Sequence, residues 1–264
     1  MWFIRELDHD LKIQAGKKAV LDGVHPNAYN AFQTKASLDY LVNKIALGGH
    51  LTVGSDLMTP LKPMLATACK GYAVPFKKWK TAVVWAEIKY DGERVQVHFD
   101  GKEWKYYARS LKPVAQNKIK NIEGDVRLSC PGAKSFILDS EILMVDTTTG
   151  RPLPFGSLGK HKRAEFANAS PCLFVFDVLY FNGVSLLNRP LKERRKLLEE
   201  HFKRVPNKVH LSELKVIEGE EALKDMMEEM VNDNQEGLMI KDPNGIYGPF
   251  SNFQFDAHTL SLCP

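Results

Sequence analysis

A single lysine interrupts a strand-like segment in the first half of the chain. Residues 85–96 read WAEIKYDGERVQ, and Lys89 stands at the centre of this run. A free lysine has a pKa of about 10.4, so its amine is almost fully protonated and inert at neutral pH. Partial burial and neighbouring cations lower the pKa of a lysine and expose its lone pair. Lys89 is therefore a candidate nucleophile with Arg94 as its candidate neighbouring cation, and the alternative is a solvated hairpin face.

The strand pattern around Lys89 predicts which side chains share its space. Side chains alternate along a strand, so Glu87 and Lys89 lie on one face of WAEIKY and Ile88 lies on the other. Asp91-Gly92 is a dipeptide typical of tight turns. We expect the chain to turn there and to bring Arg94 back on the next strand, facing the same space.

Acids, aromatics and a second lysine recur in three later strand-like runs. FILDSEILMVD places Asp139 and Glu141 on one face of an apolar strand, where they need a cation or a hydrogen-bond partner unless that face is solvated. LFVFDVLYFNG carries two phenylalanines at alternate positions, which suit either a ligand or core packing. In QEGLMIKD, simple alternation puts Glu236 and Lys241 on opposite faces.

These segments together resemble one enzyme family. KYDGER resembles the K-x-D-G-x-R motif of the covalent nucleotidyltransferases, which include the ATP-dependent DNA ligases. YYARS, FILDSEILMVD, LFVFDVLYFNG and QEGLMIKD then follow in the order of the ligase motifs. RSLKPV, LPFGSLGKHK and FDVLYFNG are most similar to the type III branch of the eukaryotic-type ligases, and the N-terminal segments resemble the last helices of that family's DNA-binding domain. The chain is identified as a member of this family over residues 1–247.

The resemblance implies a role for each matching residue. Lys89 would be the catalytic nucleophile, and Glu141 and Glu236 would be metal-side acids. Phe176 would stack on adenine, with Phe174 as the alternative. The residues implied in nucleotide binding are Glu87 on the adenine or ribose side, Ile88, Arg94, Arg109 near the ribose and the 5′-phosphate side, Glu141, Phe176 and Lys241. A bend at Gly237 would be needed to bring the two ends of QEGLMIK together.

The implied reaction uses ATP and Mg²⁺. Lys89 would attack the α-phosphate of ATP and expel pyrophosphate, which leaves a phosphoramide-linked AMP. Lys241, Arg94 and Mg²⁺ would stabilise the negative charge of the transition state. AMP would then pass to the 5′-phosphate of nicked double-stranded DNA. The expected partners are this DNA and a DNA-repair scaffold protein, and the expected state is a monomer.

The resemblance stops after Tyr247. Residues 248–264 contain no lysine or arginine, so the K-x-K lysine pair of the family is absent, and so is the OB-fold domain that follows it. Each lost phosphate contact costs about 1.5 to 3 kcal/mol. We therefore expect a truncated ligase with weak self-adenylation and little or no nick sealing. The alternatives are a non-catalytic ligase remnant that binds DNA or a partner, and an mRNA-capping-type guanylyltransferase.

The elements that must position these residues change along the chain from a helical pattern to a β-rich one. Residues 1–46 read as helices and are expected to be the C-terminal helices of a DNA-binding domain, and 47–60 read as a linker. Residues 61–247 are expected to form the adenylation domain, with short β-rich runs and helices at 191–205 and 220–233, and 248–264 form a divergent tail. This predicts an α+β fold: an ATP-grasp-like nucleotidyltransferase domain of antiparallel sheets flanked by helices, preceded by a short all-α segment.

Composition narrows the class of protein. The 264 residues are 44% hydrophobic, and 36 lysines and arginines against 32 acids give a net charge of +4, which permits a nucleic-acid partner. The four cysteines form no C-x-x-C pair, which argues against a zinc site or a disulfide framework. No secretory signal or 18-residue apolar run is present, so we expect a soluble intracellular protein with no membrane partner. We expect a nuclear location, with the mitochondrion as the alternative.

Overall fold

The computed structural model describes residues 16–35, 38–48, 57–115, 118–119, 122–153, 168–233, 235–248 and 254–258. The chain divides into two compact units, Met1–Gly54 and Ser55–Pro264. Residues 1–15, which belong to the segment 1–46 that was expected to be helical, lie outside the described residues. The domain limits proposed from the sequence remain a prediction.

The first unit is helical in its described part. Its helices are α1 (Lys17–Val24), α2 (Ala28–Lys35) and α3 (Leu38–Ala46). They enclose a small core in which Ala28, Ala31 and Leu41 are buried.

The second unit contains two sheets and four further helices in its described part. The helices are α4 (Ala73–Trp79), α5 (Ile122–Ser129), α6 (Leu191–His201) and α7 (Gly219–Asn232). The strands are β1 (Thr67–Ala68), β2 (Val83–Ile88), β3 (Glu93–Phe99), β4 (Trp104–Ala108), β5 (Phe136–Asp146), β6 (Ala169–Phe181), β7 (Val184–Ser185), β8 (Val209–Leu211), β9 (Leu214–Glu218), β10 (Gly237–Lys241) and β11 (Gln254–His258). The predicted α+β fold is confirmed.

Pairing is antiparallel except at two places. The first sheet has the order β1-β11-β10-β2-β9, and the second has the order β4-β3-β5-β6-β7 with β8 paired to β6. The β1–β11 and β6–β8 pairs are parallel. No helix in the described ranges is long and apolar enough to cross a lipid bilayer.

Each sheet is covered by helices through a periodic apolar face. On α7, Leu223, Met226, Met227 and Met230 recur at helical spacing and are buried against the first sheet. The second sheet packs against α5 and α6 in a separate core centred on apolar residues such as Phe136. The two cores are distinct. Polar side chains of β2, β5 and β10 line the cavity that is described below.

One expectation about local structure was wrong at its C-terminal end. The helix predicted over 191–205 ends at His201, because Phe202 is extended and Pro206 disfavours helical geometry at the residue before it. The chain turns at Asp91-Gly92 as expected, but the two strands that flank this turn do not pair with each other, because β2 pairs with β9 and β10 while β3 pairs with β4 and β5. This turn instead carries the chain from the first sheet to the second.

Gly92 is required where the chain crosses between the sheets. A Cβ atom at this position would lie 2.4 Å from the backbone oxygen of Ile142 and 2.5 Å from a methyl carbon of Leu143. Only a residue without a side chain allows the backbone to pass this close to β5.

Candidate active site

A cavity of about 330 Å³ is lined by residues from both sheets. Every residue that the sequence nominated as a site residue contributes to its wall: Glu87, Ile88, Lys89, Arg94, Arg109, Glu141, Phe176, Glu236 and Lys241. Ile88 also packs against the core beneath the first sheet. The chain crossing at Gly92 therefore brings together groups that lie up to 154 positions apart in the sequence, from Glu87 to Lys241.

Lys89 follows β2 directly and faces the end of β10. Its backbone N–H donates to the carbonyl of Gly237 at 2.9 Å, and its Nζ forms an ion pair with Glu236 Oε1. Gly237 has φ +143°, a conformation that suits glycine. The bend expected at this glycine is present, and it turns Glu236 and Lys241 into the same cavity.

Glu87 is a buried carboxylate between two cations. It is 2% exposed, its Oε2 accepts an ion-pair contact from Lys241 Nζ at 2.7 Å, and Arg195 Nη1 lies 3.9 Å from Oε1. Oε1 has no hydrogen-bond partner. A buried, unpartnered carboxylate oxygen is costly, so this atom is a strong acceptor awaiting a donor.

Arg94 is more constrained than the sequence suggested. Its Nε and Nη2 donate to the two carboxylate oxygens of Asp139 at 3.0 and 2.7 Å, and its Nη1 donates to the carbonyl of Met64 at 2.9 Å. Asp139 is fully buried and thereby has the cation that its place on an apolar strand required. Since the pair is neutral as a whole, Asp139 offsets the positive charge that Arg94, the candidate neighbouring cation of Lys89, presents to the cavity.

Phe176 projects from an irregularity in β6. Val175 pairs with Ser140 and Asp177 pairs with Asp139, so Phe176 is the extra residue of a β-bulge. Its ring lies 5.3 Å from the guanidinium carbon of Arg94 and 5.1 Å from Lys241 Nζ. Phe174 is buried against Tyr90, with ring centroids 4.5 Å apart, and it is not among the residues that line the cavity. The geometry therefore favours Phe176 over Phe174 as the ligand-facing aromatic.

Glu141 is the acid whose titration is most perturbed at the site. Burial raises the pKa of Glu141 to about 8, while the positive charges of Arg94 and Arg109 oppose this rise. The negative charges of Asp139 and Glu236 raise the pKa of Glu141 further. A desolvated carboxylate beside other acids gains from a cation, which would displace its proton.

Comparison with known proteins identifies the family. A family profile described as "ATP dependent DNA ligase domain" matches residues 63–252, which is most of the chain.

The chain belongs to the ATP-dependent DNA ligase domain family.

Curated DNA ligases are similar in sequence to this chain over nearly its whole length. The DNA ligase of fowlpox virus is 42% identical over 246 residues, covering 93% of this chain and 43% of the relative. The DNA ligase of vaccinia virus (strain Western Reserve) is 41% identical and covers 92% of this chain and 44% of the relative. DNA ligase 3 of Dictyostelium discoideum is 35% identical and covers 93% of this chain and 25% of the relative. The chain thus spans less than half the length of these relatives.

A solved structure shows the same fold. The mycobacterial DNA ligase D complexed with ATP and MES superposes with a TM-score of 0.53 at 21% identity, covering 75% of this chain and 60% of that one. At this identity the likeness concerns the fold alone.

Several residues of the ligase cavity were missed from the sequence. Leu65, Ala66 and Met239 line it, together with Tyr90 and the turn residues at 91–92. Met239 could have been found by alternation with Lys241 on β10. Leu65 and Ala66 could not, because they lie in an irregular segment whose path depends on tertiary contacts.

Besides β2, the strand β11 flanks β10 in the first sheet. It pairs antiparallel with β10, so that Lys241 lies opposite Gln254. Its sequence, QFDAH, contains no lysine or arginine.

The acids of the site fit a magnesium ion held together with a nucleotide. In the part of the chain that the structure describes, no group of three or more histidine, cysteine or acidic residues could hold a metal ion by itself. Mg²⁺ is usually held by one or two carboxylates together with substrate phosphates and water. Glu141 and Glu236, which share the cavity, are the residues that would hold it.

The raised pKa of Glu141 predicts a pH-dependent stability. The folded chain keeps this proton up to pH 8, whereas the unfolded chain loses it near pH 4.5, so stability falls as pH rises toward and through 8. In Glu141→Gln we expect a flatter dependence of the unfolding free energy between pH 6.5 and 9 without Mg²⁺. Urea denaturation at several pH values measures it, with the exposed Glu103→Gln as control; equal slopes in all three proteins would contradict the assignment.

This pH range also lies above most of the titration of His98, another group with a strongly shifted pKa. Burial lowers the pKa of His98 to about 3, so His98 changes charge above pH 3 only in the unfolded chain, near its ordinary value of 6.5. Its contribution to the pH dependence of stability is therefore nearly complete at the lower limit of the measurement.

Proposed function

We propose that the chain is the adenylation domain of an ATP-dependent DNA ligase and that Lys89 becomes covalently linked to AMP. The observation that carries this proposal is the gathering of Lys89, its partner Glu236 and the aromatic Phe176 in one cavity that also holds Lys241 and Glu141. In this reaction a bond forms between Lys89 Nζ and the α-phosphorus of ATP. The bond from that phosphorus to the pyrophosphate oxygen breaks, and Nζ loses its proton.

Each residue around Lys89 has a different role in this step. Glu236 contacts Nζ and is placed to hold it and to receive its proton. Lys241 neutralises charge at the α-phosphate once it exchanges Glu87 for the ligand. Phe176 offers its ring to the base, and a bound Mg²⁺ would supply charge stabilisation of the phosphoryl oxygens.

Glu87 favours adenine over guanine. Its unpartnered Oε1 needs a donor, and the 6-amino group of adenine can donate a hydrogen bond where the 6-oxo group of guanine can only accept one. A site built to accept from an amine rejects an analogue that lacks it, because its own polar group stays unpaired. This favours the ligase over the mRNA-capping-type guanylyltransferase, as does the naming of the reported relatives as DNA ligases.

A competition between nucleotides tests the proposal. We expect incubation with ATP and Mg²⁺ to add the mass of one AMP to the intact protein, and GTP to give at least about tenfold less adduct. Intact-protein mass spectrometry at equal nucleotide concentrations measures both. No adduct with ATP, or equal adducts with ATP and GTP, would contradict it.

The absence of lysine and arginine from β11 favours a second candidate. If two cations near the phosphates are missing, AMP transfer is slow, and a non-catalytic ligase remnant that binds DNA or a partner becomes the alternative. We propose slow self-adenylation and little or no nick sealing by this chain alone.

We further propose nicked DNA and a repair scaffold protein as partners of a monomeric chain. We propose a nuclear location, with the mitochondrion as the alternative, and a place in DNA repair, replication or recombination.

A further inference from the structure

We propose that Tyr247 is a positioning residue for the nucleotide cavity, acting through its hydroxyl group. Resting on the proposed function, this inference assigns to Tyr247 the task of joining two buried ion pairs and fixing the segment of residues 61–66 at the cavity wall. Tyr247 itself is not among the residues that line the cavity. Its effect on a nucleotide would pass through Arg94 and Phe176.

The first ion pair is held directly by the hydroxyl group. Tyr247 is 7% exposed, and its O–H donates to Asp139 Oδ2 at 2.6 Å. The same oxygen accepts from the backbone N–H of Met64 at 3.2 Å and lies 3.4 Å from Arg94 Nη2. Burial and the negative charge of Asp139 keep the pKa of Tyr247 well above its usual value, so the hydroxyl remains a donor.

The second ion pair lies against the other side of the same residue. Arg194 is 1% exposed and donates from Nε and Nη2 to the carboxylate of Asp177, both at 2.8 Å. The guanidinium carbon of Arg194 lies 5.9 Å from the ring centroid of Tyr247, and its Nη1 donates to the carbonyl of Gly245 at 3.3 Å. Tyr247 therefore touches both guanidinium groups, one through its hydroxyl and one through its ring.

Both ion pairs lie next to Phe176. Asp177 follows Phe176 at the β-bulge, and Arg94 lies under the ring of Phe176. The ring is thus held from its backbone side by the Asp177–Arg194 pair and from its face by the Arg94–Asp139 pair. Tyr247 is the residue common to both pairs.

The hydroxyl also fixes one wall of the cavity. Met64 donates its N–H to Tyr247 and accepts a hydrogen bond from Arg94 through its carbonyl, so both polar atoms of this peptide segment are held. Leu65 and Ala66, which follow directly, line the cavity. Loss of the hydroxyl would release this wall and leave a buried acceptor and a buried donor without that partner.

Packing alone would give a different result. The Tyr247 ring lies in a core with Leu61 and Leu179, and Tyr247→Phe keeps that ring. A purely structural role of the ring therefore predicts no change in nucleotide binding for this variant. Tyr107→Phe is a matched control, because the Tyr107 hydroxyl donates to the carbonyl of Met58 at 2.7 Å on the same irregular segment but contacts neither ion pair.

The test combines binding, kinetics and hydrogen exchange on the full chain. For Tyr247→Phe we expect about tenfold weaker binding of α,β-methylene-ATP, whose bridging carbon prevents transfer, by calorimetry. We expect the ATP concentration that half-saturates AMP-adduct formation to rise about tenfold while the maximal rate stays within about threefold. Amide exchange of the peptide containing Met64 should accelerate. Tyr107→Phe should leave the nucleotide measurements within about twofold and accelerate exchange only near Met58.

The outcomes separate this inference from the proposed function. Native-like binding and native-like Met64 exchange in Tyr247→Phe would overturn the inference. So would equal losses in Tyr247→Phe and Tyr107→Phe, which would indicate a general loosening of the segment. If the native chain binds no analogue, the proposed function fails, and the exchange of Met64 in the two variants still decides whether the hydroxyl holds the wall.

Discussion

Replacing Lys89 by alanine is expected to abolish formation of the AMP adduct, with a loss on the order of 1,000-fold or more. The amine of Lys89 is the atom that bonds to phosphorus in the proposed reaction, and its Nζ contacts Glu236 at the end of β10. Lys241 also lines the cavity, but its Nζ is held by Glu87 on the neighbouring strand. Time-resolved mass spectrometry with ATP and Mg²⁺ measures the rate of adduct formation.

Stability should hardly change in this variant. The Lys89–Glu236 pair is partly exposed, with 17% and 30% of the two side chains accessible, so its loss costs at most about 1 kcal/mol. Lys105→Ala, which removes an exposed lysine of β4, is the matched control and should react like the native chain. Persistence of the adduct in Lys89→Ala, or its loss in both variants, would remove Lys89 from the mechanism.

Much of this site could be predicted from residue types and spacing. The motif around Lys89 named the nucleophile, and strand alternation put Asp139 and Glu141 on one face of β5, as the structure has them. Gly237 was recognised as the place where a bend would be needed, and its φ of +143° provides it. The alternation on β5 depends on backbone geometry alone, whereas the role given to Lys89 and the bend at Gly237 were inferred from the resemblance to the ligase family.

Other features depend on contacts that no local pattern encodes. Arg94 was expected to act as a neighbouring cation, but its guanidinium is committed to Asp139 and to the carbonyl of Met64. That pairing joins residues 30 to 45 positions apart. Likewise, the sequence predicts a turn at Asp91-Gly92, and only the pairing of β2 and β3 in different sheets shows that this turn is a crossing between sheets.

The choice between two phenylalanines illustrates the same limit. Phe174 and Phe176 are equivalent under strict alternation, so the sequence alone could not separate them. The β-bulge opposite Asp139 and Ser140 shifts the register and sends Phe176 into the cavity. The bulge in turn coincides with Asp177, whose carboxylate is bound by Arg194 from α6. Arg194 on α6 thus binds the residue next to the β-bulge that places Phe176 in the cavity wall.

Replacing Arg194 by methionine is accordingly expected to destabilise the chain by about 3–5 kcal/mol. Removing one partner of a buried ion pair leaves the other charge uncompensated, and Asp177 is 5% exposed. The variant also loses the hydrogen bonds from Nη1 to the carbonyls of Arg189 and Gly245, at 2.6 and 3.3 Å. Methionine fills much of the volume of the arginine stem, so lost packing is the smaller part of the cost.

A neighbouring arginine provides the comparison that makes this result interpretable. Arg189 forms an exposed pair with Glu193, with 54% and 48% of the side chains accessible, so Arg189→Met should cost no more than about 0.5 kcal/mol. Urea denaturation of both variants measures the difference, and equal costs would show that burial of the Arg194 pair does not matter. Adding Asp177→Asn to Arg194→Met removes the stranded charge, so the double variant should be more stable than the single one. Because Asp177 adjoins Phe176, that double variant also separates global stability from the position of the ring: it should regain stability while still binding α,β-methylene-ATP less tightly than the native chain.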